Sequence, residues 1–400
     1  MKRRYYTIKE ALNTVVAVML CWSFEAFDFM LFPMLGVAIM HDISLTKVSF
    51  GTLISSGLLG TMVGGIISGV MADRLGRRKV LITLLLVYGL GTLAIALAKD
   101  FTTMFLGRFI VGFGLGAEWS TGMTLISEII RPEMRGRAVG LAQAGWPLGV
   151  LMAISMVIYV YPSLGWRGCF LLALVAVVFI AYLMLKVPES ELWMEASKKT
   201  PSKVSLIEIL KGELGRKTIL ALTMNVFAMF SYWMFWSWIP TYLFEARGMS
   251  IVKSAKWLVI TQVGAWAGYT SYGVLQDHLG RRVSWSLFTC IEALAITLFV
   301  LYPLVGSEAI LIGIVLGYFT GYWSGFGALL SELFPTYVRN TALGFIFNTG
   351  RAINFVSPII IAWLSDVYGW TAALMAASLS ALAASLMVWT FPETKGLELK

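Results

Sequence analysis

The sequence has few charged residues and few reactive side chains. Charged residues make up 13% of the 400-residue chain, and hydrophobic residues make up 58%. Soluble domains carry about 25% charged residues, so this composition excludes an ordinary soluble protein. A run of roughly 20 apolar residues crosses a bilayer as a helix. The chain is therefore predicted to lie in a membrane.

Residues that commonly carry enzyme chemistry are scarce as well. The two histidines, His41 and His278, are predicted to lie in loops, and the three cysteines, Cys21, Cys169 and Cys290, fall in separate apolar runs. We find no nucleophile motif, metal-ligand cluster or phosphate-binding glycine loop. The sequence predicts neither an enzyme nor a bound metal or cofactor.

Positive charge is unevenly placed along the chain. The net charge is +9, and most of the 31 Lys and Arg residues fall on one predicted side of the membrane. Such a bias marks the cytoplasmic side, so both termini of this multi-pass protein of the inner or plasma membrane are predicted to be cytoplasmic. Nucleic-acid binding requires a soluble basic face, which is not predicted here.

Twelve apolar runs predict an all-α membrane protein, because main-chain groups in lipid must bond within their own helix. The predicted helices cover residues 13–40, 50–72, 80–98, 101–126, 138–161, 167–187, 218–243, 253–276, 283–303, 309–331, 342–365 and 371–391. Glycines such as Gly60, Gly64 and Gly112 predict close packing of helices 2 and 4.

An internal repeat divides the chain. The stretch that begins at Gly69 recurs at Gly273, and the same offset of 204 residues relates Glu128 to Glu332 and Arg135 to Arg339. Repeats in a strongly apolar chain are typical of transporters built from two related halves. We predict six-helix halves over 1–187 and 218–400, joined by a polar cytoplasmic linker over 188–217. A surface helix is predicted in the linker at Leu206–Leu210, and the protein is expected to be a monomer.

The repeated stretch has the pattern Gly-x-x-x-Asp-x-x-Gly-Arg-Arg and follows helices 2 and 8. With twelve helices in two halves, it resembles the major facilitator superfamily over essentially the whole chain. Pro188-Glu189 and the Pro392–Gly396 tail are similar to the sugar-porter and metabolite–proton symporter branches. The resemblance implies two halves that rock around a central site and open it to each side in turn.

The resemblance also implies a cytoplasmic latch. Asp73 would lie at the start of helix 11, where a helix N-terminus favours a carboxylate. Arg77 and Arg78 would reach Glu128, and the second copy would repeat this arrangement at Glu332. The alternative, that the basic loops only fix topology, stays open. The predicted gate residues are Asp73, Arg74, Gly76, Arg77, Arg78, Glu128, Arg135, Asp277, Gly280, Arg281, Arg282, Glu332 and Arg339.

Two acidic residues in helix 1 carry most of the functional information. Glu25 and Asp28 are three residues apart and share a helix face. A charge at the bilayer centre costs about 2.5–3.5 kcal/mol, so each requires a partner or a water-filled cavity. We predict that Arg108 of helix 4 is that partner, and that the carboxylates, Asp28 foremost, bind and release a proton as the coupling ion. A permanent structural ion pair is the alternative.

Cargo is predicted to meet polar and aromatic side chains of several helices. Arg351 in helix 11 can hold a carboxylate through two hydrogen bonds. The other candidates are Asn348, Asn354, Asn225, Gln143, Tyr232, Trp236 and Glu118. The amides can instead bond neighbouring helices, and the two aromatic residues of helix 7 can belong to an interfacial belt.

Short segments narrow the branch within the superfamily. Phe24–Phe29 and Gly116–Trp119 resemble organic-acid–proton symporters of the sialate, monocarboxylate and aromatic-acid type, although Glu25 stands where those relatives more often have Asp. We therefore expect that this membrane protein imports a small carboxylate together with protons. The alternatives are a sugar or polyol symporter, an exporter, and a membrane sensor that binds a ligand without moving it.

Overall fold

The computed structural model describes residues 6–45, 47–199, 206–236, 238–239, 242–243, 246–248, 251–302, 307–397 and 399. The regular secondary structure of these residues is helical throughout. Helices in the order of the twelve predicted spans are called α1 to α12 here, and the twelve-helix, all-α fold is confirmed.

The first six spans run from α1 to α6. Their bounds are Ile8–Met34 with Gly36–Asp42 for α1, Lys47–Leu75 for α2, Arg77–Leu97 for α3, Phe101–Leu115 with Glu118–Ile129 for α4, Arg135–Gln143 with Gly145–Tyr159 for α5, and Tyr161–Met184 for α6.

A short helix, Glu191–Lys199, and a 3₁₀ turn, Glu208–Leu210, precede the second set of spans. The predicted linker helix at Leu206–Leu210 is thus only a single 3₁₀ turn. The bounds of α7 to α11 are Gly212–Trp236 for α7, Ile251–Leu279 for α8, Arg281–Leu301 for α9, Ser307–Phe319 with Trp323–Leu333 for α10, and Arg339–Ile353 for the first part of α11.

The last helix, Ser357–Met387, contains two spans. Gly369 interrupts it with φ 81° and ψ 166°, so residues before Gly369 complete α11 and residues 370–387 form α12. Ten of the described helices are long and apolar enough to cross a membrane. The spans α8 and α11 are not among these ten.

The two predicted basic loops are single-residue breaks. Helix α2 continues to Leu75 and α3 begins at Arg77, so Gly76 alone turns the chain, with φ 103°. Gly280 does the same between α8 and α9, with φ 98°. Glycine tolerates this left-handed region because it has no Cβ atom. Asp73 therefore lies in the last turn of α2. The end of the bundle with these two breaks is called the hairpin side below.

Polar and apolar side chains are distributed as expected in a bilayer. Leu90, Val178 and Leu386 are 66%, 68% and 73% exposed on the outside of the bundle. Glu25 and Asp28 are each 1% exposed in its interior. This arrangement suits a surface in contact with lipid, and the chain is a multi-pass membrane protein.

Helices pack closely where glycine, which has no side chain beyond hydrogen, lies at the contact. Helices α2 and α4 pack along their length, and a methyl group at Gly60 or Gly112 would overlap a main-chain carbonyl of the other helix. The two sets of six helices meet chiefly where α2 packs on α11 and where α5 packs on α8.

Candidate functional site

The first buried ion pair lies between α1 and α4. Arg108 Nη1 is 2.7 Å from Asp28 Oδ2, and the two side chains are 4% and 2% exposed. The Arg108 guanidinium also covers the Phe32 ring at 4.2 Å. It fits beside α2 because Gly57 has no side chain to meet it. The predicted partner of Asp28 is therefore in place.

A second buried ion pair connects the first six helices to the last six. Arg351 Nη1 of α11 is 2.7 Å from Glu25 Oε1 of α1, and Glu25 Oε2 has no hydrogen-bond partner among the described residues. Phe347 and Phe29 lie against the guanidinium at 4.9 Å and 5.3 Å. The sequence predicted that Arg351 binds cargo, whereas in this conformation it forms an ion pair with Glu25.

Aromatic rings line a central cavity beside Arg351. Its lining consists of Trp22, Trp119, Gln143, Trp146, Met229, Tyr232, Trp233, Tyr269, Trp323, Phe347 and Arg351. The cavity thus combines one guanidinium with broad apolar surfaces. Among the predicted cargo residues, it brings together Arg351, Gln143 and Tyr232.

The other predicted cargo residues lie around this cavity. Trp236 lines a neighbouring pocket with Gln262, and Asn348 lines a crevice between α2 and α11 that Arg351 also borders. Asn225 and Asn354 are not among the residues that line the central cavity, the neighbouring pocket or the crevice. Arg351 is the predicted residue that faces both the central cavity and the crevice.

The amide side chains connect helices. Gln143 donates to a main-chain carbonyl of α10 at 2.9 Å, and Asn225 donates to one of α11 at 2.8 Å. Asn348 donates to Gly116 O of α4 at 3.3 Å. Asn354 donates to the Gly350 carbonyl within α11 at 3.1 Å and to the Val226 carbonyl of α7 at 3.4 Å. These bonds match the structural alternative for the amides.

Glu118 is buried close to the ion pairs without a cation of its own. It is 2% exposed, and neither carboxyl oxygen has a hydrogen-bond partner within the described ranges. Its nearest acidic neighbours are Glu25 and Asp28. Three acidic groups thus share this region with two arginines.

On the hairpin side, Asp73 joins α2 to α11. Its Oδ2 atom accepts hydrogen bonds from the main-chain N–H of Thr341 at 2.8 Å and from the Thr341 hydroxyl at 2.7 Å. Thr341 lies in the first turn of α11, which begins at Arg339. The carboxylate therefore occupies the positive end of that helix, where the resemblance implied it.

Two crossed ion-pair clusters close the same side. Glu128 of α4 contacts Arg77 at 3.1 Å and Arg339 of α11 at 2.6 Å. The repeated residues form the mirror cluster: Glu332 of α10 contacts Arg281 at 2.9 Å and Arg135 of α5 at 2.6 Å. Each glutamate thus holds an arginine from its own set of helices and one from the other set.

Asp277 binds the N-terminal end of α5 in the same way as Asp73 binds that of α11. It accepts hydrogen bonds from the main-chain N–H groups of Gly136 and Arg137 at 3.0 Å and 2.9 Å. The second arginine of each repeat, Arg78 or Arg282, was predicted to reach Glu128 or Glu332, but its side chain contacts other groups. Arg78 donates to the Leu185 carbonyl at 2.7 Å, and the Arg282 side chain covers Trp389 at 4.5 Å. Arg74 lies exposed at the end of α2.

Two glutamates on the hairpin side, Glu189 and Glu393, were not among the gate residues predicted from the sequence. Glu189 accepts from the main-chain N–H groups of Arg77 and Arg78 at 3.1 Å, and Glu393 accepts from those of Arg281 and Arg282 at 2.9 Å and 3.2 Å. Burial raises the pKa of Glu393, but its main-chain donors lower it further, so it lies below the ordinary value. The repeat of Pro188-Glu189 at Pro392-Glu393 is the sequence feature that could have identified them.

Together, these features define a class of protein. A bundle of membrane-crossing helices surrounds a central cavity bordered by the Arg351–Glu25 ion pair, and two further clusters of ion pairs join the two sets of helices at one end. Such an arrangement suits a transporter that exposes a central site to one side at a time.

Family models agree with this class. Residues 18–272 match the model described as Major Facilitator Superfamily, and residues 193–400 match the one described as Sugar (and other) transporter. The chain belongs to the major facilitator superfamily. Since this is a family of transporters, the prediction that the chain is not an enzyme is confirmed.

Individual relatives and a solved structure extend the comparison. The chain is 29% identical to the niacin transporter NiaP of Acinetobacter baylyi, covering 95% of this chain and 93% of that protein. It is 30% identical to the 3-(3-hydroxy-phenyl)propionate transporter of Escherichia coli, covering 85% and 83%. The proton:xylose symporter XylE superposes with a TM-score of 0.82 over 98% of both chains at 18% identity, which supports the fold.

Proposed function

We propose that the protein imports a small aromatic or conjugated monocarboxylate together with protons by alternating access. The observation that carries this proposal is Arg351, a guanidinium on the wall of a cavity otherwise dominated by aromatic rings. A guanidinium binds a carboxylate through two parallel hydrogen bonds, and aromatic walls suit a planar apolar body. The names of the niacin and hydroxyphenylpropionate transporters describe cargoes of this chemistry.

The cavity favours such a cargo over a sugar. A sugar requires many hydrogen bonds, whereas the amide nitrogen of Gln143 is already bonded to α10 and Arg351 is the charged residue of the lining. Burial of polar hydroxyl groups without partners costs free energy. The aromatic surface thus discriminates against a polyol.

Cargo binding exchanges one carboxylate for another. Because Glu25 occupies Arg351, an arriving carboxylate has to displace it. The displaced Glu25 would then be a buried carboxylate without a cation, and binding of a proton removes that cost. Cargo binding and proton uptake are therefore coupled at one guanidinium.

Asp28 and Arg108 provide the second proton-sensitive pair. They lie away from the cavity lining, between α1, α2 and α4, so cargo does not touch them directly. Protonation of Asp28 weakens its attraction to Arg108 and frees α1 to move against α4. Each positive charge carried inward gains about 2.3 kcal/mol per 100 mV of membrane potential.

The ion-pair clusters of the hairpin side act as the gate. They join α4 to α11 and α5 to α10 and must separate before the cavity opens there. The concentration of Lys and Arg on this side favours a cytoplasmic location for it and for both termini. The described conformation is then closed towards the cytoplasm.

Uptake into proteoliposomes tests the proposal. External acidification should drive accumulation of labelled niacin or 3-(3-hydroxyphenyl)propionate but not xylose. Asp28→Asn should abolish accumulation and retain exchange of labelled for unlabelled cargo. Asp366→Asn, at an exposed aspartate, is the matched control. Accumulation of both acids that is indifferent to the pH gradient, or that survives Asp28→Asn, rejects proton coupling through Asp28.

A further inference from the structure

A buried acidic residue of α9 takes no part in the site described above. Glu292 is 2% exposed, and its Oε2 atom has no hydrogen-bond partner in the part of the chain that the structure describes. The Tyr322 hydroxyl of α10 lies close enough to interact with its carboxyl group and donates to the Ala228 carbonyl at 3.5 Å. No ion pair of Glu292 is found among the described residues.

The neighbours of Glu292 are tyrosines. Tyr269 of α8 and Tyr232 of α7 are close enough to interact with its charge, and both line the central cavity. The packed helix α12 has no charged residue between Trp370 and Phe391. Away from the helix ends, the other titratable groups on α8, α9 and α10 are Tyr272, Cys290, Tyr318 and Tyr322. Apart from Glu292, the charged groups of these helices lie at their ends: Lys253, Lys256, Asp277 and His278 on α8, Arg281 and Arg282 on α9, and Glu308 and Glu332 on α10.

The internal repeat gives this cluster a counterpart. The offset of 204 residues relates Tyr232, Glu292 and Tyr322 to Asp28, Tyr88 and Glu118. In the first set, Tyr88 of α3 lies near both Asp28 and Glu118. In each set, a tyrosine and an acid face each other between the third and fourth helices, with the two residue types exchanged. The proton-sensitive region of the first six helices thus has a structural match around Glu292.

An ionised carboxylate in such surroundings is costly. Moving a charge from water into a low-dielectric interior without a partner costs so much that the group neutralises instead. Asp28 and Glu25 avoid that cost through arginines, whereas the groups around Glu292 are uncharged tyrosines. We therefore expect Glu292 to hold a proton in this conformation, and Tyr232 and Tyr269 connect its surroundings to the central cavity, which both line.

We infer that Glu292 is a second proton-binding site, which takes up a proton from the central cavity and releases it in each transport cycle. Its chemistry is a simple protonation of the carboxylate, so no other reactant is required. The inference rests on the proton coupling of the proposed function but involves a different residue and a different set of helices. It implies that more than one proton accompanies each cargo molecule.

Infrared spectroscopy tests proton binding without transport. The purified protein should show a carbonyl-stretch band of a protonated carboxylic acid that disappears in Glu292→Gln and persists in Glu308→Gln, at an exposed glutamate. The band should lose intensity as the pH is raised. A spectrum in this region that is unchanged by Glu292→Gln overturns the inference.

The proton-to-cargo ratio tests release during the cycle. In proteoliposomes, the membrane potential that stops niacin or 3-(3-hydroxyphenyl)propionate uptake should correspond to one fewer proton in Glu292→Gln, while exchange of cargo stays close to wild type. An unchanged ratio overturns the inference. If wild-type uptake ignores the pH gradient, the proposed function fails, and the infrared band alone decides whether Glu292 binds a proton.

Tyr322→Phe covers the case in which Glu292→Gln does not fold. Loss of the hydroxyl removes a polar group close to the Glu292 carboxyl that favours its ionised form, so the pH dependence of that carboxyl should move to higher pH. The infrared band of Tyr322→Phe should then persist to higher pH than in wild type. A band with wild-type pH dependence overturns the inference.

Discussion

At the scale of single residues, the protein is governed by the cost of charge in an apolar interior. Glu25, Asp28, Arg108 and Arg351 are buried, and they are joined in two pairs with distances of 2.7 Å. Removing one partner of such a pair costs about 3–5 kcal/mol, because the other charge is left without compensation. The same cost becomes useful when cargo or a proton can supply the missing compensation.

Glu25→Gln should tighten binding of anionic cargo. The substitution removes the carboxylate that competes for Arg351, so cargo gains a free guanidinium. We expect the Kd for niacin or 3-(3-hydroxyphenyl)propionate to fall by about tenfold, which is about 1.4 kcal/mol. Quenching of the tryptophan fluorescence of the cavity measures it.

The exposed Glu308→Gln is the control for this prediction and should bind as wild type does. In the same Glu25→Gln protein, accumulation driven by a pH gradient should fall, because a step of proton uptake is lost. Unchanged or weaker binding of both acids would show that Glu25 does not compete with cargo.

At the scale of helices, glycine determines where chains turn and how closely they pack. Gly76 and Gly280 make one-residue breaks, which place Asp73 and Asp277 in the last turn of one helix and the arginines in the first turn of the next. Gly57 of α2 leaves the space in which the Arg108 guanidinium of α4 lies when it pairs with Asp28 of α1. The glycines that allow α2 and α4 to pack closely thus also make room for the buried ion pair.

Gly112→Ala should lower stability by about 1–3 kcal/mol, the usual cost of an added group in a packed interior. Its methyl group would overlap the Gly57 carbonyl, which belongs to main chain and cannot rotate away. Thermal unfolding in detergent measures the effect as a lower Tm.

Gly89→Ala is the matched control for the helix contact. There the new Cβ would lie 3.1 Å from a side-chain carbon of Val177, which can move. We expect a clearly smaller loss of stability than for Gly112→Ala. Equal Tm values for the two variants would contradict the role assigned to the contact between α2 and α4.

At the scale of the whole molecule, we propose that the two crossed clusters hold the hairpin side closed. Each of Glu128 and Glu332 contacts an arginine from the other set of helices at 2.6 Å. Reversing a population from 1:99 to 99:1 requires about 5.5 kcal/mol. Since loss of a buried partner costs about 3–5 kcal/mol, two such losses suffice.

The double variant Glu128→Gln/Glu332→Gln should open the hairpin side. Spin labels at Leu75→Cys and Leu279→Cys, two exposed positions related by the repeat, report the separation in a background without native cysteines. The measured distance distribution should shift to longer values. Glu133→Gln/Glu195→Gln, at exposed positions, should leave it unchanged. An unchanged distribution in the first variant would remove these clusters from the gate.

The sequence by itself determined the class of fold, and the repeat together with the family resemblance predicted the residues of the gate. Apolar length and main-chain hydrogen bonding leave a helix as the stable form of each span, and the repeat predicted matching positions such as Glu128 and Glu332. Pairing of Asp28 with Arg108 followed from their depth and opposite charge. The assignment of residues to proton coupling and cargo binding stays a prediction.

Only the tertiary structure decided which charges meet across the two sets of helices. Glu25 and Arg351 are 326 residues apart in the chain, and helix periodicity contains no information on which faces of α1 and α11 come together. The same reason applies to Glu292, whose surroundings of tyrosines come from three other helices. Local pattern determines what a helix can bury, whereas the packing of the whole bundle determines the partner that it buries against.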